Sequence, residues 1–191
     1  MSKEPKPYQS WGNGAAMRVS PVAYAFETEV EVLWHARASA GVSHDHPVGI
    51  RGAQAIALAV FMARKGAEKE TIRSELQDRF EYDLQRRMED IRPGYTFNTS
   101  CPGSVPEAVI AFLDSDSYED AIRNAVSLGG DSDTLACMAG AIAEAFYGHL
   151  PPIIHLNVRK RLPPEFISIL DVFIKWHPGN FPLSAVPAFE W

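Results

Sequence analysis

Ser127-Leu128-Gly129-Gly130-Asp131-Ser132-Asp133-Thr134 concentrates two carboxylates and two hydroxyls directly after a glycine pair, at the head of the small-residue run Leu135–Gly148. Oxygen donors at this spacing suit a hard divalent cation, Mg²⁺ or Mn²⁺. If Asp131 and Asp133 are ligands, the chain handles a phosphate-rich or polyhydroxylated substrate. The same residue types also open helices, where they accept hydrogen bonds from unpaired backbone N–H groups and oppose the helix dipole. The segment is not an EF-hand loop, which needs further oxygens and a distal Glu. Both readings stand on spacing alone.

A second segment, Ser10-Trp11-Gly12-Asn13-Gly14-Ala15-Ala16-Met17-Arg18, places a Gly-x-Gly before a helical pattern. Such a loop can offer bare N–H groups to a phosphate, or be an ordinary Asn-Gly turn. Trp11 has the flat apolar surface that stacks on a base, but tryptophan is also a common core or rim residue. Arg18 is expected in a structural ion pair. A third segment, Ser43-His44-Asp45-His46-Pro47, is rich in polar side chains. Its histidines at i and i+2 in a loop make a weak zinc pattern, and a hydrogen-bonding loop beside a ligand is the milder reading.

These segments need a framework. The chain has 191 residues, 46% of them hydrophobic, enough for one domain with a sizeable core. Its net charge of -6 argues against general nucleic-acid binding. Cys101 and Cys137 lack C-x-x-C spacing; Cys137 reads as a small buried hydrophobe, and the pair suits a reducing cytoplasm. Met1–Ser10 is no signal peptide, and the apolar run Leu135–Tyr147 is too short for a bilayer.

The periodicity predicts an all-α chain: an irregular lead-in over 1–9, then a single domain over 10–191. Helices are expected over Pro21–Ala40, Arg51–Lys65, Lys69–Phe80, Leu84–Ile91 and Val105–Leu113. Pro106 falls in the first turn of the last of these. A helix capped by Ser117 follows, then Asp133–Tyr147, Pro151–Leu162 and Pro164–Trp176. Gly41–Pro47 is a loop, Tyr95–Gly103 is irregular, and the proline-rich tail Phe181–Trp191 is expected to pack across the domain.

Together, Trp11-Gly-Asn-Gly-Ala-Ala-Met-Arg18, Ser43-His-Asp-His-Pro47 with Gly52-Ala53, and Gly129-Gly-Asp-Ser-Asp-Thr134 resemble the ADP-ribosylglycohydrolase family, which includes the dinitrogenase-reductase-activating glycohydrolases. The resemblance implies a compact, orthogonal multi-helix bundle with a dinuclear Mg²⁺ or Mn²⁺ site. It also implies hydrolysis of the glycosidic bond between ADP-ribose and an acceptor, so ADP-ribose or an ADP-ribosylated substrate is the expected partner. By the same resemblance Asp131, Asp133 and Thr134 are metal ligands. Ser10, Gly12, Asn13 and Gly14 form a phosphate-contacting loop, Trp11 lies against the nucleotide and His44 lies near the ribose or diphosphate. Gly103 and Ser104 fall on the same rim.

Members carry further ligands, a Gly-Asp segment and a Thr-Asp-Asp set, upstream of the glycine loop. Met1–Gln9 holds neither, and Glu4 is its one carboxylate. The resemblance therefore covers a family domain lacking its N-terminal part. The isolated chain is then expected to hold an incomplete metal site and to depend on a completing chain or a second copy. Its alternative role is as a non-catalytic ADP-ribose-binding module or inactive fragment.

Overall fold

The computed structural model describes residues 6–177, and within them the chain is helical almost throughout. The eleven helices are α1 Gly14–Met17, α2 Ser20–Ala25, α3 Glu29–Gly41, α4 Pro47–Arg64, α5 Lys69–Phe80, α6 Met88–Ile91, α7 Cys101–Leu113, α8 Tyr118–Ser127, α9 Ser132–Tyr147, α10 Pro152–Arg159 and α11 Pro164–Trp176. Extended pairing among the described residues is limited to one isolated antiparallel bridge, Gly12 to Ser100. The expected tail over Phe181–Trp191, like residues 1–5 of the lead-in, lies outside the described residues.

The all-α expectation holds, and the differences from it are local. Apolar spacing runs unbroken from Val22 to Trp34, yet the chain breaks at Phe26 and restarts at Glu29. The cause is a capping box: Thr28 Oγ1 accepts from Glu31 N at 3.3 Å and the Glu31 carboxylate accepts from Thr28 N at 3.2 Å. Helix α4 begins a turn earlier than its apolar pattern, because His46 Nδ1 accepts from Val48 N at 3.1 Å and Pro47 fits the first turn.

Of the helix expected over Leu84–Ile91, only the turn α6 forms. Leu84 is buried in irregular chain, with its carbonyl taken by the Arg73 guanidinium. Helix α7 starts at Cys101 rather than Val105, since Ser100 Oγ accepts from Gly103 N at 3.3 Å. Pro106 therefore sits inside the helix and not in its first turn. Ser117 does cap α8, accepting from Asp120 N at 3.1 Å.

The core lies where α4, α7 and α9 meet, with α3 on α4 and α8 on α9. Small residues permit close approach: Ala53, Ala55, Ala57 and Ala59 of α4 and Ala139 and Ala143 of α9 are all fully buried. A Cβ on Gly52 would lie 2.9 Å from Cys101 Cβ, so α4 and α7 touch through a missing side chain. The expectation that Cys137 is buried is corrected. It is exposed, and its thiol donates to Met17 O, at the end of α1, at 3.2 Å.

Helices α10 and α11 contain no buried residue, and among their side chains Phe173 packs against the core cluster. Arg159 and Asp171 join the two helices at 2.9 Å, while Ile153, Phe166, Ile169 and Trp176 are exposed. No described helix is long and apolar enough to cross a membrane.

Gly52→Ala should destabilise the fold by about 1–3 kcal/mol in urea denaturation. Gly41→Ala, whose Cβ would meet nothing within 4 Å, should be neutral or add up to about 1 kcal/mol. Burial pushes the Cys101 thiol up to about 12. The Cys137 thiol is raised too, by burial and then by Asp133, so the contrast rests on access. A thiol reagent should label exposed Cys137 in the native protein, faster as pH rises, and buried Cys101 only after denaturation.

Candidate functional site

Gly129 and Gly130 turn the chain from α8 into α9 with φ of +71° and +61°, a conformation that side chains disfavour twice in succession. A Cβ on Gly130 would also lie 3.0 Å from Phe97 Cα. The turn delivers Asp131, but its carboxylate does not cap α9. Oδ2 accepts from Asn13 Nδ2 at 2.7 Å and Oδ1 from Thr134 Oγ1 at 3.1 Å. Asp133 is exposed and its Oδ1 accepts from Thr134 N at 2.9 Å. The capping interpretation thus fails for Asp131, whose contacts are with side chains.

Asn13 links the glycine loop to the α8–α9 turn and to α7. It is 6% exposed, and its second amide proton goes to Ser104 Oγ at 3.1 Å. Ser104, fully buried, spends its own proton on Ser100 O at 2.7 Å, so it can only accept from Asn13. The orientation of the Asn13 amide follows from this chain of donors. Ser104, which the sequence places only on the rim, is at the centre.

The Gly-Asn-Gly loop is held from below by residues 99–101. Asn13 N donates to Thr99 O at 2.8 Å, Cys101 N to Trp11 O at 2.8 Å, and the Cys101 thiol to Gly12 O at 3.2 Å. Gly12 N donates to Ser10 Oγ at 3.1 Å. The expectation of bare N–H groups is therefore corrected for Gly12 and Asn13, whose protons are already committed. The glycines serve close packing instead: Cβ atoms on Gly12 and Gly14 would lie 3.4 and 3.2 Å from His44 Nε2. These backbone contacts leave no mark in the sequence, because any residue can supply a carbonyl.

The Ser43–Pro47 segment divides its polar groups among separate tasks. His44 is buried beside the loop and its Nδ1 meets Ser43 Oγ at 2.8 Å. Asp45 accepts from Gln9 N at 2.6 Å, and His46 caps α4. Burial and the nearby Arg18 cation lower the His44 pKa. Arg18 departs from the ion pair expected of it: it donates to Ser43 Oγ at 2.6 Å and to the Gly14 carbonyl at 3.2 Å, and pairs with no carboxylate among the described residues. Trp11 is 55% exposed, its ring 5.0 Å from that of His46.

The structure therefore joins Asn13, Asp131 and Thr134 in one hydrogen-bonded group and sets Ser10, Trp11, Gly12, Gly14 and His44 along its glycine-loop side. Tyr95 closes another side. Its hydroxyl donates to Gly103 O at 3.1 Å and is pushed up to about 12 by burial, then by the charges of Glu107 and Asp131.

As a metal site the donor set is partial. Asp131, Asp133 and Thr134 carry oxygens of the hard type that Mg²⁺ or Mn²⁺ takes, but both Asp131 oxygens already accept from protein donors. A pair of ions needs more, and the described residues hold no group of three or more His, Cys, Asp or Glu placed for a metal.

A family model for ADP-ribosylglycohydrolase matches residues 1–170. The chain is 29% identical to human ADP-ribosylhydrolase ARH3 over 73% of this chain and 51% of that protein. It is 30% identical to the bovine form, over 73% and 50%. It is 27% identical to ADP-ribosylarginine hydrolase Tri1 of Pseudomonas putida, over 74% and 40%. A solved structure described as an ADP-ribosylglycohydrolase-related protein complex superposes with a TM-score of 0.63 at 28% identity, covering 76% of this chain and 54% of that one. The chain spans about half the length of the curated relatives it matches. On the family match and the helical fold together, this chain belongs to the ADP-ribosylglycohydrolase family.

Proposed function

We propose that this chain binds the ADP-ribosyl unit of an ADP-ribosylated substrate beside the Asn13–Asp131 junction and serves hydrolysis of the bond from ADP-ribose to its acceptor. The observation that carries this reading is the 2.7 Å hydrogen bond between Asn13 and Asp131, which joins two motifs 118 residues apart. Trp11 offers an exposed face for stacking on adenine. Ser10 and His44 supply polar groups along the diphosphate or ribose. Asp131, Asp133 and Thr134 would hold one Mg²⁺ or Mn²⁺. When bound, that ion supplies Lewis-acid stabilisation of ribose hydroxyls and water. Asn13 holds the Asp131 carboxylate in place, and Thr134 orients its other oxygen. Departure of the acceptor passes through an oxocarbenium-like state, as in glycoside hydrolysis generally.

A second reading, an ADP-ribose-binding module without catalysis, draws on the partial donor set and on both Asp131 oxygens being engaged within the protein. In the catalytic reading the remaining ligands come from a completing chain or a second copy.

Calorimetric titration with ADP-ribose, with and without Mn²⁺, separates these. The catalytic reading expects Mn²⁺ to strengthen binding and Asp131→Asn to weaken the Mn²⁺-assisted affinity by about tenfold or more, about 1.4 kcal/mol. Metal-independent binding that survives Asp131→Asn supports the module. No binding under any condition overturns both. Asn13→Ala should also lower stability in urea by about 1–3 kcal/mol, because the Asp131 carboxylate loses a partly buried donor.

A further inference from the structure

His44 contacts the glycine loop through one ring nitrogen and the Arg18–Ser43 pair through the other. Ser43 Oγ lies 2.6 Å from Arg18 Nη2 and 2.8 Å from His44 Nδ1. A guanidinium only donates, so Ser43 must accept from Arg18. The hydroxyl then has one proton to give, and among the described residues His44 Nδ1 is the acceptor it meets. In the opposite tautomer Nδ1 would carry its own proton, and the Ser43 hydroxyl hydrogen would have no described protein acceptor. Nε2 lies against Gly12 and Gly14, within 3.4 Å of where their Cβ atoms would be, and has no hydrogen-bond partner among the described residues. Among the described residues no carboxylate hydrogen-bonds His44 or Ser43: Asp45 is turned to Gln9. The Tyr8 ring, 6.0 Å away, covers another side of the imidazole.

We infer that Arg18 and Ser43 act as positioning residues that fix the tautomer of His44, leaving Nε2–H as a neutral donor directed at the glycine loop. The ligand group it suits is an acceptor oxygen, a ribose hydroxyl or a phosphate oxygen. The Arg18 cation polarises the Ser43 hydroxyl and so strengthens its donation to Nδ1. It also opposes a second positive charge on the ring, in keeping with the lowered His44 pKa. The assignment of the ligand rests on the proposed ADP-ribose site; the tautomer does not.

The test is ¹⁵N NMR of the His44 ring at neutral pH, in wild type, Ser43→Ala and Ser43→Thr, without ligand. Wild type and Ser43→Thr should show a protonated Nε2 and an Nδ1 shifted as a hydrogen-bond acceptor. Ser43→Ala should show averaging between tautomers. A protonated Nδ1 in wild type, or a Ser43→Ala spectrum identical to wild type in a folded protein, overturns the inference. Titration with ADP-ribose then adds a separate reading. Affinity should fall about tenfold in Ser43→Ala, the scale of one lost hydrogen bond to a ligand, and be retained in Ser43→Thr. Wild-type protein with the expected tautomer but no affinity for ADP-ribose removes the proposed function and leaves the Arg18–Ser43–His44 arrangement standing.

Discussion

One carboxamide organises the site. Asn13 has two amide protons, and both are committed, one to a buried hydroxyl and one to the Asp131 carboxylate. In so confined a position an unmatched donor or a displaced carboxylate would be costly. The α8–α9 turn is therefore registered through this side chain against the glycine loop and the first turn of α7, which backbone bonds already hold together. The helices beneath serve that registration. Alanine-rich faces on α4 and α9 bring backbones close enough for short polar side chains to meet, and Gly52 lets α7 settle where Ser104 can receive Asn13.

The glycines and histidines are more differentiated than their clustering suggests. Gly129 and Gly130 are required by backbone angle, whereas a Cβ on Gly14 would crowd His44 Nε2 at 3.2 Å and one on Gly12 would crowd Ser10 Oγ at 3.1 Å. His44 and His46 are two residues apart, but one lies under the loop and the other closes a helix end. The two acidic residues of the Gly-Gly-Asp-Ser-Asp-Thr segment likewise part company. Asp131 turns inward to another element, and Asp133 stays exposed with a bond to its neighbour's backbone.

Where one face of a helix meets the core and its ends carry strong signals, the sequence is easy to read. Lys69–Phe80, which buries Ile72, Leu76 and Phe80, has the bounds that its periodicity predicts; Pro164–Trp176 keeps its predicted bounds too, although it buries no residue. Periodicity is blind to a break that keeps the apolar phase. Nothing in the spacing from Val22 to Trp34 shows the stop at Phe26, and only Thr28 followed by Glu31 records it. The start of α7 was hidden by Cys-Pro-Gly, which resembles a turn until Ser100 is recognised as its cap. In the site, side-chain identity marked Asn13, Asp131 and Thr134. It could not mark the Thr99 carbonyl that takes the Asn13 N–H, the Cys101 thiol that donates to the Gly12 carbonyl, or the turn of Ser10 Oγ onto the Gly12 N–H. Cys137 misleads for a related reason: its helix is apolar nearly all round, so composition does not say which side faces water.

The separation between Asn13 and Asp131 has a bearing on how the protein reaches this state. Closing a contact across 118 residues requires the intervening helices to have condensed first, since the entropy of so long a loop is not offset by one polar bond. On a chain emerging from the ribosome, the glycine loop appears early and waits for its partner until α9 is released. Until α9 docks, the Asn13 amide and the Asp131 carboxylate cannot meet, so local helix can form ahead of the recognition surface. Site formation is then a report on completed folding, and a probe that senses the Asn13–Asp131 pair would follow a later event than circular dichroism does.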